Sequence, residues 1–182
     1  YKLSLRFLHF GQYVRNRRKL YRTVEEDIKE IANETGQRTQ FVAREGDMGI
    51  PLLYATGKKS MEYIGFDIGE PMSLHSTAAG KAIFAHFPTE VTNQMFQTEF
   101  EQITDNTITN PDTLREELEL VRERGHAFNR QESFTGLKAV GVPIFDESER
   151  VVGSVSVSGP ANKLQGEFFT KELPNELKGF AN

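Results

Sequence analysis

This chain of 182 residues contains no cysteine. That absence excludes a disulfide framework, a thiolate nucleophile and a cysteine zinc site, and nothing else suggests an oxidising compartment, so a cytoplasmic location is expected. Basic charge is not in excess either. Lys and Arg number 22 against 26 Asp and Glu, a net charge of −4, and the pI is near 5.7. The chain therefore lacks the positive field of a domain that binds nucleic acid by itself. No apolar run approaches the roughly 18 residues needed to cross a membrane. The opening "YKLSLRFLHFGQYVRNRRKL" lacks a signal-peptide layout. Internal repeats and low-complexity segments are missing too.

Catalytic signatures are equally scarce. Neither HExxH nor GxSxG occurs. "AAGKA" at 78–82 is not a phosphate loop, because His75 stands where that loop needs Gly and Ala82 where it needs Ser or Thr. The four histidines are dispersed, so no tetrahedral metal site and no cofactor is expected. What remains is an ordinary globular composition, 37% hydrophobic and 26% charged, of a length that fits one domain. The chain begins with Tyr rather than Met, which points to a natural protein that extends further.

Periodicity sets out the elements. Leu3, Phe7, Phe10 and Val14 form an apolar stripe on a first helix, with Lys2, Arg6 and Gln12 opposite. "RNRRK" at 15–19 reads as a solvated junction rather than a phosphate contact. A helix from Tyr21 to Thr35 follows, with Val24, Ile28 and Ile31 on one face and Gly36 as its stop. "RTQFVARE", "GIPLLYAT" and "MEYIG" then read as an antiparallel meander. A helix at 76–86 comes next, then a short one over "PTEVTNQMF". Asn110 and Pro111 launch another, with Leu114, Leu118 and Val121 inward and Gly125 ending it. Strands "HAFNRQE", "LKAVGVPIFD" and "VVGSVSVSG" and a terminal helix near 170–181 complete the expectation.

Two stretches hold possible chemistry. The helix start "HSTAAG" carries nothing larger than a methyl group over Ser76–Gly80. Such a start serves either close packing on a sheet or the approach of an anion to its free N–H groups. On "VGSVSVSG", alternation puts Ser154, Ser156 and Ser158 on one face and Val155 and Val157 on the other. "LKAVGVPI" splits the same way, with Leu137, Ala139, Gly141 and Pro143 opposite Val140, Val142 and Ile144. Joined through "ESER", the two strands would either line a concavity with small and hydroxylated residues or turn the serines to water. His75 reads as a cap for the helix at 76–86.

Together, "YKLSLRFLHFG", "SLHSTAAGKAIFAHFP", "NTITNPDTLREELELVRERGHAF" and "VPIFDESERVVGSVSVSGPANKL" resemble the ligand-sensing half of IclR-family transcriptional regulators. The resemblance covers nearly the whole chain. It implies an α/β (α+β), GAF-like domain on a curved antiparallel sheet flanked by helices, with residues 1–16 as part of a linker helix and 17–182 as the effector-binding domain. An N-terminal winged helix-turn-helix domain that binds DNA would lie outside this chain. The implied partners are a small organic-acid effector, DNA through that further domain, and copies of the chain in a homodimer or homotetramer. No membrane is implied.

Carried over by position, the resemblance assigns Ala78 and Ala79 as backbone N–H donors to the effector and Ser156 and Ser158 as hydroxyl donors. It makes Met61, Ile64, Met72 and Leu137 an apolar wall. The pocket also holds two departures, Asn129 where the family often has an acid and Ala139 where it often has Cys, and these argue against zinc. Glu132 keeps a negative charge and Arg130 adds a positive one, which suits a more anionic or hydroxylated effector. The implied function is non-enzymatic allosteric control in a repressor or activator. Two rivals remain at this point: a hydrolase or isomerase using His75, Glu132 and the serines, and an oligomerisation module with a filled sheet face.

Overall fold

The computed structural model describes residues 4–17, 19–58, 60 and 65–180, the side chains of 16–23 excepted. Helix α1 (Arg6–Arg17) and helix α2 (Lys19–Thr35) precede a hairpin of β1 (Arg38–Glu45) and β2 (Met48–Thr56). Three helices follow, α3 (Ala78–Phe84), α4 (Thr89–Met95) and α5 (Pro111–Arg124). Strands β3 (Ala127–Arg130), β4 (Leu137–Phe145) and β5 (Val151–Pro160) come next. A π-helical turn over Phe168–Glu172 then leads into α6 (Leu173–Phe180). The strands form one antiparallel sheet in the order β2-β1-β5-β4-β3.

The alternation read from the sequence decides the layers. Val140 and Val142 of β4 and Val155 and Val157 of β5 face one side, where Ile28 and Ile31 of α2 and Leu173 and Leu177 of α6 close over them. The other side meets α3 and α5 through Val42, Ala79, Ile83, Leu114, Leu118 and Val121. Helix α5 is framed by local chemistry: the Asn110 side chain accepts from Thr113 N–H at 3.0 Å, Pro111 fills the first position, and Gly125 at φ +73° ends it.

Several boundaries differ from expectation. The helix expected at 76–86 spans only 78–84, because Thr77 and not His75 caps it, accepting from Gly80 N–H at 2.9 Å. His75 instead pairs through Nε2 with the Glu101 carbonyl and packs on Phe100. Of the strand expected over "MEYIG", residues 61–64 lie outside the described residues; Met72 makes an isolated bridge to Gly49 of β2. Among the described residues, no helix is long and apolar enough to cross a membrane.

Candidate functional site

The first turn of α3 lies directly on β4. A Cβ added at Gly141 would stand 2.7 Å from the Ala78 carbonyl and 2.9 Å from the Ala79 nitrogen, so close packing already demands small residues on both elements. Tight packing thus accounts for part of the bareness of "STAAG". The rest borders a void. Opposite this turn, β5 sets Ser156 against Gly141 and Ser158 against Ala139, and β1 sets Gln40 against Ser156. Because directly paired residues share a sheet face, these small and polar side chains form a floor beneath α3.

The resulting cavity is bounded by Ala78 and Ala79, by Gln40, Leu137, Ala139, Ser156 and Ser158 of the sheet, and by Met72, Thr77, Asn129, Ser133, Gly65, Phe66 and Phe134. It is tight. The space open to water centres is about 20 Å³, enough for one or two waters. Ser156 and Ser158 are buried, so the serine row does not face water. Ser154, also buried, stands outside the lining with its hydroxyl unpaired.

Hydrogen bonding shows which groups are free to act. In α3 the Gly80 N–H goes to the Thr77 hydroxyl and the Lys81 N–H to the Thr77 carbonyl. The amides of Ala78 and Ala79 have no partner among the described residues and border the cavity. Asn129 is largely committed to its own loop: Oδ1 accepts from Glu132 N–H at 2.8 Å, and Nδ2 donates to Ser133 Oγ at 2.6 Å. No side chain of the lining is ionisable. Hydrogen-bond donors converge on a space without a carboxylate, the chemistry of an anion site. A tilted ring pair, Phe66 and Phe134 with centroids 5.6 Å apart, forms part of the wall.

Of the ten site residues named from sequence, the structure brings together Ala78, Ala79, Met72, Asn129, Leu137, Ala139, Ser156 and Ser158. Met61 and Ile64 lie outside the described residues. Ser133, expected near the pocket, also lines it, whereas Gln40, Thr77, Gly65, Phe66 and Phe134 join it without having been named as site residues. Gln40 enters only because β1 pairs with β5 across more than 110 residues of chain, as the register Gln40 to Ser156 records. The aromatic pair comes from loops that carry no period. Arg130 does not supply the local positive charge: the alternation of β3 turns Asn129 toward the cavity and Arg130 away, over Phe128 at 4.3 Å.

Glu132 is likewise withdrawn. Its Oε2 receives Lys81 Nζ at 2.5 Å, and Lys81, 1% exposed, also lies 3.6 Å from Glu117, which pairs with Arg124 at 2.7 Å. His75 and Glu132 therefore do not meet the serines. Among the described residues no three His, Asp or Glu side chains gather as metal ligands would.

The fold and the site define a mixed α/β domain with a small cavity between α3 and the sheet, whose His75 and Glu132 side chains are engaged elsewhere. The chain matches the family described as "Bacterial transcriptional regulator IclR C-terminal" over residues 12–182. It is 35% identical over 186 residues to the "Probable HTH-type transcriptional regulator ArcR" of Halobacterium salinarum, covering all of this chain and 70% of that one. To the "HTH-type transcriptional regulator BhcR" of Paracoccus denitrificans it is 29% identical over 138 residues, 75% of this chain and 49% of that one. The crystal structure of the Thermotoga maritima IclR superposes with a TM-score of 0.90 at 32% identity, covering 97% of this chain and 71% of that one. The chain belongs to the IclR family, as the C-terminal domain of a transcriptional regulator. The family and these relatives are regulators of transcription, not enzymes.

Proposed function

We propose that this domain senses a small carboxylic acid in the cavity under α3 and controls DNA binding by the protein of which it is part. The observation that carries the reading is the convergence of the Ala78 and Ala79 amides with the Ser156 and Ser158 hydroxyls on a buried space that holds no carboxylate. The effector's carboxylate would take these donors, and Met72, Leu137 and Ala139 would cover its carbon chain. Since the cavity holds only one or two waters, binding would move part of its wall. The Phe66 and Phe134 rings, drawn from loops, would be the part that yields.

Coupling to DNA follows from linkage: an effector bound more tightly by one arrangement of the subunits favours that arrangement. Residues 1–16 would serve as the linker helix and 17–182 as the sensing unit, with a helix-turn-helix domain outside this chain, in a homo-oligomer acting in the cytoplasm. The relatives' designation as HTH-type regulators, and the 49–70% of their length that the chain spans, support this organisation.

Thermal unfolding with a panel of keto, hydroxy, sugar and aromatic acids tests the reading. At least one acid is expected to raise the melting temperature. The double change Ser156→Ala, Ser158→Ala is expected to remove the rise, since each hydroxyl lost from a charged acceptor costs about 1.5–3 kcal/mol. Ala79→Leu is expected to remove it separately by blocking the amides. A panel without effect on the unmodified domain, or a shift that survives both changes, would show that no acid binds here.

A further inference from the structure

Arg38 opens β1 on the cavity's face of the sheet, paired in register with Ser158 and two positions from Gln40. It is 8% exposed. Its Nη2 donates to the Phe66 carbonyl at 2.8 Å, and its guanidinium carbon lies 3.9 Å from the Tyr54 ring centre. Its Nε is buried with no hydrogen-bond partner. Among the described residues no carboxylate forms an ion pair with it. Asp67, on the exposed side, acts on it only at longer range, and burial pushes the guanidinium below its ordinary value. Gly65, part of the cavity wall, would carry a Cβ only 3.2 Å from that Nε and 3.3 Å from Cζ. Among the described residues, therefore, a cation short of an acceptor stands immediately behind the Gly65–Phe66 wall.

We propose that Arg38 is a specificity-determining residue that reads a second carboxylate, which makes the effector a dicarboxylic acid. One carboxylate takes the α3 amides and β5 hydroxyls; the other reaches Arg38 past Gly65. A hydroxyl would satisfy the free donor but not the buried charge, whereas a carboxylate does both. Arg38 and Ser158 are directly paired across β1 and β5, where Cα atoms lie about 4.5–5.5 Å apart, so the two anchoring points belong to one region of the sheet and a short diacid is the class to test. This inference rests on the acid-sensing reading above.

Calorimetric titration of the chain with acids matched but for one carboxylate, lactate against malate and butyrate against succinate, is the test, run on the unmodified protein, Arg38→Met and Arg38→Lys. Each diacid is expected to bind at least about tenfold more tightly than its partner. Arg38→Met should remove the diacid's advantage over its matched monoacid, with circular dichroism reporting an intact fold, and Arg38→Lys should keep part of the preference. Acids that bind without preference for the second carboxylate, or a preference that survives Arg38→Met, would overturn the role of Arg38 while leaving the sensing role standing. If neither the mono- nor the diacids bind, the dicarboxylate reading falls, while the sensing role stands or falls with the wider acid panel.

Discussion

At the scale of single residues, the most consequential group outside the cavity is Lys81. Its ammonium is buried between Glu132 and Glu117, and removing one member of such a set strands the opposite charge in a medium that solvates it poorly. Lys81→Met is expected to destabilise the domain by about 3–5 kcal/mol in urea unfolding, and Lys81→Met with Glu132→Gln by clearly less. Glu132 also holds Arg130 N–H at 3.1 Å and gives its own N–H to Asn129, so the ion pair braces the loop that borders the cavity. A second residue-scale outcome concerns pH. Burial lowers the His126 imidazole from 6.5 to about 4, against a helping bond from Nδ1–H to the Arg124 carbonyl. Between those values the unfolded chain binds a proton that the folded one refuses, so stability falls as pH drops through this window. The melting temperature should decline more steeply between pH 6.5 and 4 in the unmodified domain than in His126→Asn.

At the scale of elements, the contact of α3 with β4 is decisive. Gly141→Ala places a methyl group against the Ala78 carbonyl, where no flexible side chain can give way. The expected loss is about 1–3 kcal/mol, with a displaced first turn and weaker acid binding, both readable by thermal unfolding with and without ligand. Much of this layer was legible. The stripes Val24, Ile28, Ile31 and Leu114, Leu118, Val121 predicted the buried faces of α2 and α5 because helical period and burial are two statements of one geometry. The splitting of β4 and β5 into an apolar and a small-residue face was legible for the same reason. The cap of α3 was not, since His75, Ser76 and Thr77 all precede the helix and only backbone geometry selects Thr77.

At the scale of the molecule, α1 leaves an apolar surface open. Phe7, Phe10 and Val14 of the stripe are exposed, as are Leu5 and Leu8, while Leu3 lies outside the described residues. With Ile50, Leu52 and Ile68 these side chains line a broad groove, and patches of this kind mark interfaces. Self-association is the expected outcome. Sedimentation at tens of micromolar should show oligomers for the unmodified chain and monomers for Phe7→Asp with Phe10→Asp; a monomeric profile of the unmodified chain would contradict it. The purified protein should also carry no stoichiometric zinc, and a chelator should leave its unfolding transition in place.

The sequence by itself determined what depends on neighbours along the chain: helix faces, strand alternation, the Asn110 and Gly125 boundaries of α5, and a motif order specific enough to point to the family. Tertiary structure alone decided what depends on segments far apart. It placed β1 beside β5, so that Gln40 and Arg38 join the serines. It drew Glu132 to Lys81 and turned Arg130 outward, and it set Phe66 against Phe134 in the cavity wall. Such contacts leave no periodic trace, because pairing and burial between distant segments are settled by how the whole chain packs and not by any short stretch of it.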